Sequence, residues 1–337
     1  MSILTGKGFF TWKIPYCEGG NVQAIAGEAQ AAGLTHVLIK VANGIYRYNA
    51  ASDLPGLVAA LHAVGIQAWG WQYIFGQSPA LEAGVASRQA VDLGLDGFVV
   101  NAEVEFKTPG MSGPAITYMT LLRRALPYLP LALSSYRYPS LHREFPFHEF
   151  LTFCDFAMPQ VYWEQAHNPG AQLERCLGEY QSLKPDMPVV PTGAAYKWNG
   201  WAATPGDVAE FLAQAKILVQ GCNFWEWWFA RQRLPELWPV IAEFAWPGSP
   251  PPPPPPPDQG LRMRVIASRL NVRTGPGTVY ASIGSLSAGD HVVVQDIAGA
   301  SAWVEIDYQG RRAWACVQGG ASRYMEPAET PGGVEPG

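Results

Sequence analysis

The sequence predicts an α/β chain: a (β/α)8 TIM barrel followed by a small all-β barrel. Three observations predict it. Short apolar runs alternate with helical patterns through the first 240 or so residues. An unbroken run of eight prolines at 250–257 divides the chain. Beyond it the pattern changes to alternating strand-like segments punctuated by glycine turns.

The apolar runs fall at 8–12, 36–41, 67–74, 98–101, 131–135, 156–162, 189–192 and 222–227. Helical patterns lie between them, among them 21–32 and 53–64. Asn21, Asp53 and Thr204 are candidate N-caps, and Pro205 suits a first helical position. Gly33 and Gly65 are placed to close helices in the left-handed conformation. Eight such units fit a closed barrel better than a doubly wound open sheet, which usually stops at five to seven strands. Polar and aromatic residues follow each run, where the C-terminal mouth of a barrel carries its active site.

The expected domains are a barrel at 1–247, a polyproline linker at 248–260, an all-β module at 261–326 and a disordered tail at 327–337. The proline run can only adopt polyproline II, a stiff rod of about 25 Å.

Of 337 residues, 48% are hydrophobic and 15% charged, with a net charge of −5. That supports a large core and argues against a nucleic-acid partner, which calls for a basic stripe. No apolar run reaches the ~18 residues of a membrane span, so no membrane insertion is expected. The start, MSILTGKGFF, lacks a charged segment followed by an apolar one, so no signal peptide is expected. An extracellular or cell-wall role would then need another exit, such as release in the manner of a phage lysin. Cys17, Cys154, Cys176, Cys222 and Cys316 are scattered with no CxxC, and read as buried free thiols. No HExxH, phosphate loop or G-x-S-x-G elbow is present. His142 and His148 read as loop packing. No metal or cofactor is expected, and a monomer is.

The segment that carries chemistry is GFVVNAEVEF, residues 97–106. Side chains at i, i+2 and i+4 of a strand share a face. A strand continuing through the segment lifts Asn101, Glu103 and Glu105 from one side of a buried run. Unpaired carboxylates are costly to bury, so the cluster belongs at a strand end facing a cleft, where general acid/base work is done. Glu103 could instead pair with Lys40 at the end of strand two, and Glu105 could lie in a solvated loop. Glu103 and Glu105 on one strand reach the same flank of a substrate, a poor acid–nucleophile pair. Substrate-assisted hydrolysis fits better: the substrate's acetamide attacks its own anomeric carbon. It needs one acid, Glu103, and a neighbour such as Asn101 to hold the acetamide.

Further candidates line up on the same mouth. Met158, Gln160 and Tyr162 share a face of strand six, and Ser134, Ser135 and Tyr136 end strand five. The chain holds 13 tryptophans. Trp12, Trp71, Tyr73, Tyr136, Tyr162, Trp163, Tyr196, Trp225 and Trp227 gather near strand ends, suited to stacking sugar rings or to core packing. The residues expected to touch substrate are Lys40, Trp71, Tyr73, Tyr136, Gln160, Tyr162, Tyr196, Trp225 and Trp227. Glu226 is a further carboxylate. With Trp225 facing the mouth, strand alternation turns Glu226 away, toward a helix or Arg231.

Two resemblances follow. Asn-x-Glu at the end of strand four resembles the glycoside hydrolase superfamily, notably the family 25 muramidase-like barrels. The first strand, FFTWKIPY, carries Thr11 and Lys13 where those barrels carry an acid. The segment SRLNVRTGPGTVYASIGSLSAGDHVVVQ (268–295), with Trp303 and WVEIDYQGRRAWA, resembles the bacterial SH3 family, although AWACVQGG stands where a Gly-Trp pair is usual. Together they imply a cell-wall lysin that hydrolyses an N-acetylated glycan, most naturally peptidoglycan, with the SH3 module binding the wall. The alternatives are a non-catalytic cell-wall glycan-binding protein and a two-carboxylate glycosidase acting on another polysaccharide.

Overall fold

The computed structural model describes residues 4–246, 262–297, 303–319 and 322–327. Two compact units, Met1–Pro253 and Pro254–Gly337, divide the chain. The proline run and most of the C-terminal tail lie outside the described residues.

The first unit is a closed barrel of eight parallel strands. They are β1 (Gly6–Thr11), β2 (His36–Asn43), β3 (Gln67–Ile74), β4 (Gly97–Ala102), β5 (Leu131–Tyr136), β6 (Phe156–Val161), β7 (Thr192–Ala194) and β8 (Gly221–Trp225). Each pairs with the next, and β8 returns to β1 through Gly8↔Asn223 and its neighbours. Around them run α1 (Val22–Ala31), α2 (Leu54–Ala63), α3 (Pro79–Asp92), α4 (Ser112–Ala125), α5 (Phe147–Leu151), α6 (Pro169–Leu183), α7 (Pro205–Leu218) and α8 (Leu237–Glu243).

Local chemistry sets the boundaries. Asn21 accepts from the backbone of Gln23 and Ala24, and Asp53 from that of Gly56. Thr204 and Asp207 form a reciprocal capping box, with Pro205 at the start of α7. Gly33 and Gly65 turn at φ +61° and +76°, a conformation that disfavours other residues. Two strands differ from the reading of the sequence. The ladder of β7 begins at Thr192, because Pro191 has no N–H to give; Val189 keeps only an isolated bridge to Ala157. The eighth strand stops at Trp225 rather than 227.

Alternation along the strands makes two cores. Phe98, Val100 and Ala102 of β4 face the helices. Val99 joins Phe10, Leu38, Trp69, Trp71, Ala132, Phe156 and Met158 inside the barrel. The closed end is polar. Lys7 of β1 is buried, and its ammonium donates to the carbonyls of Ile241 (2.6 Å), Ala242 (3.2 Å) and Phe244 (2.7 Å) at the end of α8. On the neighbouring strand, opposite Gly8, the buried His36 of β2 bonds to Asn223 of β8 and to the Thr35 hydroxyl.

The second unit is an antiparallel sheet. Among its described residues the strand order is Ser282–Ser287, Arg269–Arg273, Arg311–Cys316, Trp303–Tyr308, His291–Ile297, Arg262–Val265, Met325–Pro327. Val265, Val272, Ile306, Ala313 and Met325 form its core. Gln309 and Gly310, both at positive φ, make the two-residue turn joining Trp303–Tyr308 to Arg311–Cys316.

Candidate active site

The site is the top layer of the barrel interior. On β4, Val99 packs inside and Asn101, two residues on, continues that face into the open end. Ser134 does the same above Ala132 on β5, and Gln160 above Met158 on β6. These side chains, with Glu103, Tyr162, Tyr196 and Trp225, line a cavity of about 490 Å³. A larger hollow of about 850 Å³ lies against α5 and α6 outside the barrel and shares no lining residue with it.

Glu103 leaves the end of β4 as the chain turns into a 3-10 helix at Val104–Lys107. Its Oε1 accepts from Asn101 Nδ2 at 3.1 Å and from Gln160 Nε2 at 2.9 Å. Gln160 Nε2 also reaches Asn101 Oδ1 at 3.0 Å. Three side chains from two strands thus form one triangle. Both donors hold Oε1, so in the acid form the proton belongs on Oε2, the oxygen free to give it up. Ser135 Oγ donates to the Ala102 carbonyl at 2.7 Å and fixes the strand end beneath.

Trp225 forms one wall. It rests on Trp71 (centroids 5.4 Å), Phe10 (5.7 Å) and Trp12 (6.3 Å), a flat apolar face of the kind that stacks a sugar ring. On the other side Tyr162 meets Tyr196 edge to face at 5.3 Å, and the Tyr196 hydroxyl donates to Glu164. Burial pushes both phenols upward in pKa, so both hydroxyls stay protonated.

Several expected residues sit elsewhere. β4 ends at Ala102, so Glu105 does not share the face of Asn101 and Glu103; its carboxylate accepts from the Tyr73 hydroxyl at 2.7 Å instead. Trp71 is buried, donating to the Thr11 carbonyl at 3.0 Å, and supports Trp225 rather than facing the cavity. Trp227 is fully buried between β1 and α8, against Phe9 (5.9 Å) and Trp238 (4.9 Å), because the chain has already left the strand. Trp163 packs on Phe211 in the outer core. Lys40 forms no ion pair with Glu103. Its ammonium lies over Tyr48 (4.5 Å) and Trp71 (4.7 Å), and burial lowers its pKa to about 8 while the Glu103 charge acts upward. Tyr136 lines an adjoining cavity that shares Gln160 and Tyr162.

Glu226 corrects the alternation argument. The strand stops at Trp225, the following peptide is cis, and both side chains line the cavity. Glu226 accepts from the backbone of Trp228 (3.3 Å) and Phe229 (3.2 Å), and burial raises it to about 7. Arg231 pairs with Glu18 (2.8 Å) and Glu28 (3.1 Å) instead. Glu164, which the sequence reading does not single out, also lines the cavity; it lies past the end of β6 at Val161, so strand alternation gives no signal for it. Trp198, on the two-residue strand Lys197–Trp198, and Trp228, on the helical turn after β8, are not singled out by the sequence reading either and also line the cavity. Among the described residues no cluster of His, Cys, Asp and Glu could hold a metal ion, and no helix is long and apolar enough to cross a membrane. All five cysteines are buried.

With this geometry in place, the chain can be compared with known proteins. The family model for the bacterial SH3 domain matches residues 268–324. No curated protein sequence matches the chain. The barrel resembles solved glycoside hydrolases. A chitinase from Chromobacterium violaceum superposes with a TM-score of 0.55 at 12% identity, over 71% of this chain and 98% of that one. A glycoside hydrolase family 18 N-acetylglucosaminidase from Paenibacillus barengoltzii gives 0.52 at 10%, over 71% and 99%. The Bacillus megaterium spore cortex-lytic enzyme SleL gives 0.50 at 10%, over 72% and 76%. At such identities the likeness is one of fold. The kinship with family 25 stays a resemblance of one motif.

Proposed function

We propose that the barrel hydrolyses an N-acetylated glycan, peptidoglycan in the first instance, and that the SH3 module holds the protein to the cell wall. The observation that carries this is the Glu103 carboxyl at the barrel mouth, one oxygen pinned by Asn101 and Gln160 beside an aromatic wall. Glu103 donates the proton from Oε2 to the glycosidic oxygen. The substrate's acetamide, held by Asn101 and by the hydroxyls of Tyr162 and Tyr196, attacks the anomeric carbon from the opposite face. Glu103, now ionised, takes a proton from the water that opens the resulting ring. Family 18 glycosidases use this substrate-assisted route. Lys40 and Tyr73 steady the carboxylates at the rim, Glu105 serving through Tyr73.

In this reading the domains divide as 1–247, 248–260, 261–326 and 327–337. A wall-bound module linked through the chain raises the local concentration of the barrel at its substrate. The protein acts outside the cell, as a monomer and without a cofactor.

One observation favours a second reading, a glycan-binding barrel without catalysis. Asn101 is an amide and cannot carry the negative charge that best stabilises a cationic intermediate. The third, a two-carboxylate glycosidase, draws on Glu226, which lines the same cavity.

Turbidity loss of purified cell walls tests all three. Lysis by the intact protein and none by Glu103→Gln supports hydrolysis at Glu103. Wall binding without lysis supports the second reading, and glycan cleavage lost in both Glu103→Gln and Glu226→Gln supports the third.

A further inference from the structure

Behind Gln160 and Tyr162 lies a second cavity of about 240 Å³, which shares those two residues with the catalytic cavity. It is lined by Arg137 and His142, and both carry unsatisfied nitrogen atoms. Arg137 Nε and His142 Nδ1 are buried and have no hydrogen-bond partner. The Arg137 guanidinium donates through Nη1 to the Tyr162 carbonyl and lies over the Tyr138 ring at 5.0 Å, yet it pairs with no carboxylate among the described residues. His142 is stacked on Tyr136 with centroids 3.9 Å apart, which fixes its ring plane. Burial lowers its pKa, so the imidazole is neutral at pH 7 and can offer a single N–H.

A guanidinium without a carboxylate and two buried nitrogens, Arg137 Nε and His142 Nδ1, without partners are costly in a small cavity unless something completes them. A planar guanidinium is suited to a carboxylate. The cavity adjoins the residues that hold the sugar, so the carboxylate must belong to a substituent of that sugar or of its neighbour. We propose that Arg137 and His142 form a carboxylate subsite, and that the substrate is an N-acetylated glycan bearing an acid, not a neutral one. The acid oxygens take the place of the missing partners, one on the guanidinium and one on His142 Nδ1–H. Two sources fit the shared chemistry: the lactyl ether of a muramic acid and the carboxylate of a uronic acid. This deepens the hydrolase reading and rests on it for the orientation of the sugar.

Calorimetric titration of the full chain carrying Glu103→Gln, which would not turn substrate over, tests the subsite. The probes are N-acetylglucosaminyl-N-acetylmuramic acid, its methyl ester, and an N-acetylglucosamine–glucuronic acid disaccharide. The muramic or the uronic acid, whichever is the source, should bind about tenfold more tightly than the neutral ester, as expected for a charge-assisted contact. Arg137→Gln should erase that preference and Arg137→Lys should keep part of it. Equal binding of acids and ester, or no binding of any, overturns the subsite. So does a preference that survives Arg137→Gln. The comparison of acid with ester needs no variant at Arg137, so it stands even where Arg137→Gln fails to fold. Absence of wall lysis by the intact protein would remove the hydrolase assignment while leaving the acid preference intact, so the two can fail separately.

Discussion

Gln160 and Glu103 stand 57 residues apart in the chain, and a 2.9 Å hydrogen bond from the Gln160 amide holds Glu103 Oε1. One strand, β5, lies between the two that carry them. The acid is therefore aimed by the curvature of the barrel as much as by its own strand.

Removing that hold should misplace the acid without unfolding the barrel. Gln160→Leu is expected to lower kcat on cell-wall glycan about 100-fold, the size of effect that follows a displacement near 1 Å, with a smaller change in KM. An unchanged kcat would show that Asn101 suffices to orient Glu103.

Asn101→Asp should act in the opposite direction. A carboxylate there could stabilise the positive charge that develops on the acetamide nitrogen, which the amide cannot. About a tenfold gain in turnover is expected. In a barrel that only binds glycan, the substitution would leave lysis at zero.

Stability should hide two opposed pH dependences. Burial holds His36 down at about 4 from its ordinary 6.5. Its contribution is present above 6.5 and is lost as pH falls through 4, because the unfolded chain takes the proton first. Burial holds Glu226 up at about 7 from 4.5. That contribution is present below 4.5 and is lost as pH rises through 7, because the unfolded chain releases the proton first. Each is worth on the order of 3 kcal/mol from end to end. Thermal melts of the intact protein should be nearly flat between these limits. Glu226→Gln should then melt higher as pH rises from 4 to 6.5, and His36→Gln lower as pH rises from 4.5 to 7. Flat profiles in both variants would refute the assignment.

Gly8 should tolerate no side chain. A Cβ there would lie 2.1 Å from His36 Nε2, inside the closed end of the barrel. Gly8→Ala is expected to destabilise by about 3 kcal/mol, the upper range for overpacking, and His36→Ala in the same chain should recover part of it. Equal melting of Gly8→Ala and the parent would show that the imidazole can move aside.

The sequence made much of this legible, for a physical reason. Inside a strand the period of two is rigid, so Val99 predicts the face of Asn101, and Met158 that of Gln160. The period fails where the strand stops. Glu105 lies past Ala102 in a 3-10 turn, and Trp227 and Glu226 lie past Trp225, so their directions follow from tertiary packing alone. Caps and turns were readable because Asn21, Thr204 and Gly33 act on their own neighbours. The Gln160–Glu103 bond was not, since no local pattern says which strands end up two places apart.

Lys7 carries a consequence for the order in which the molecule can be made. Its ammonium, on the first strand, is answered by carbonyls some 234 residues later, at the end of α8. A nascent chain that has emerged only as far as β8 holds every barrel strand yet leaves that ammonium without its acceptors. Completion of the barrel thus waits on the last helix to leave the ribosome, and a chain released early carries an unanswered charge where its seam should close.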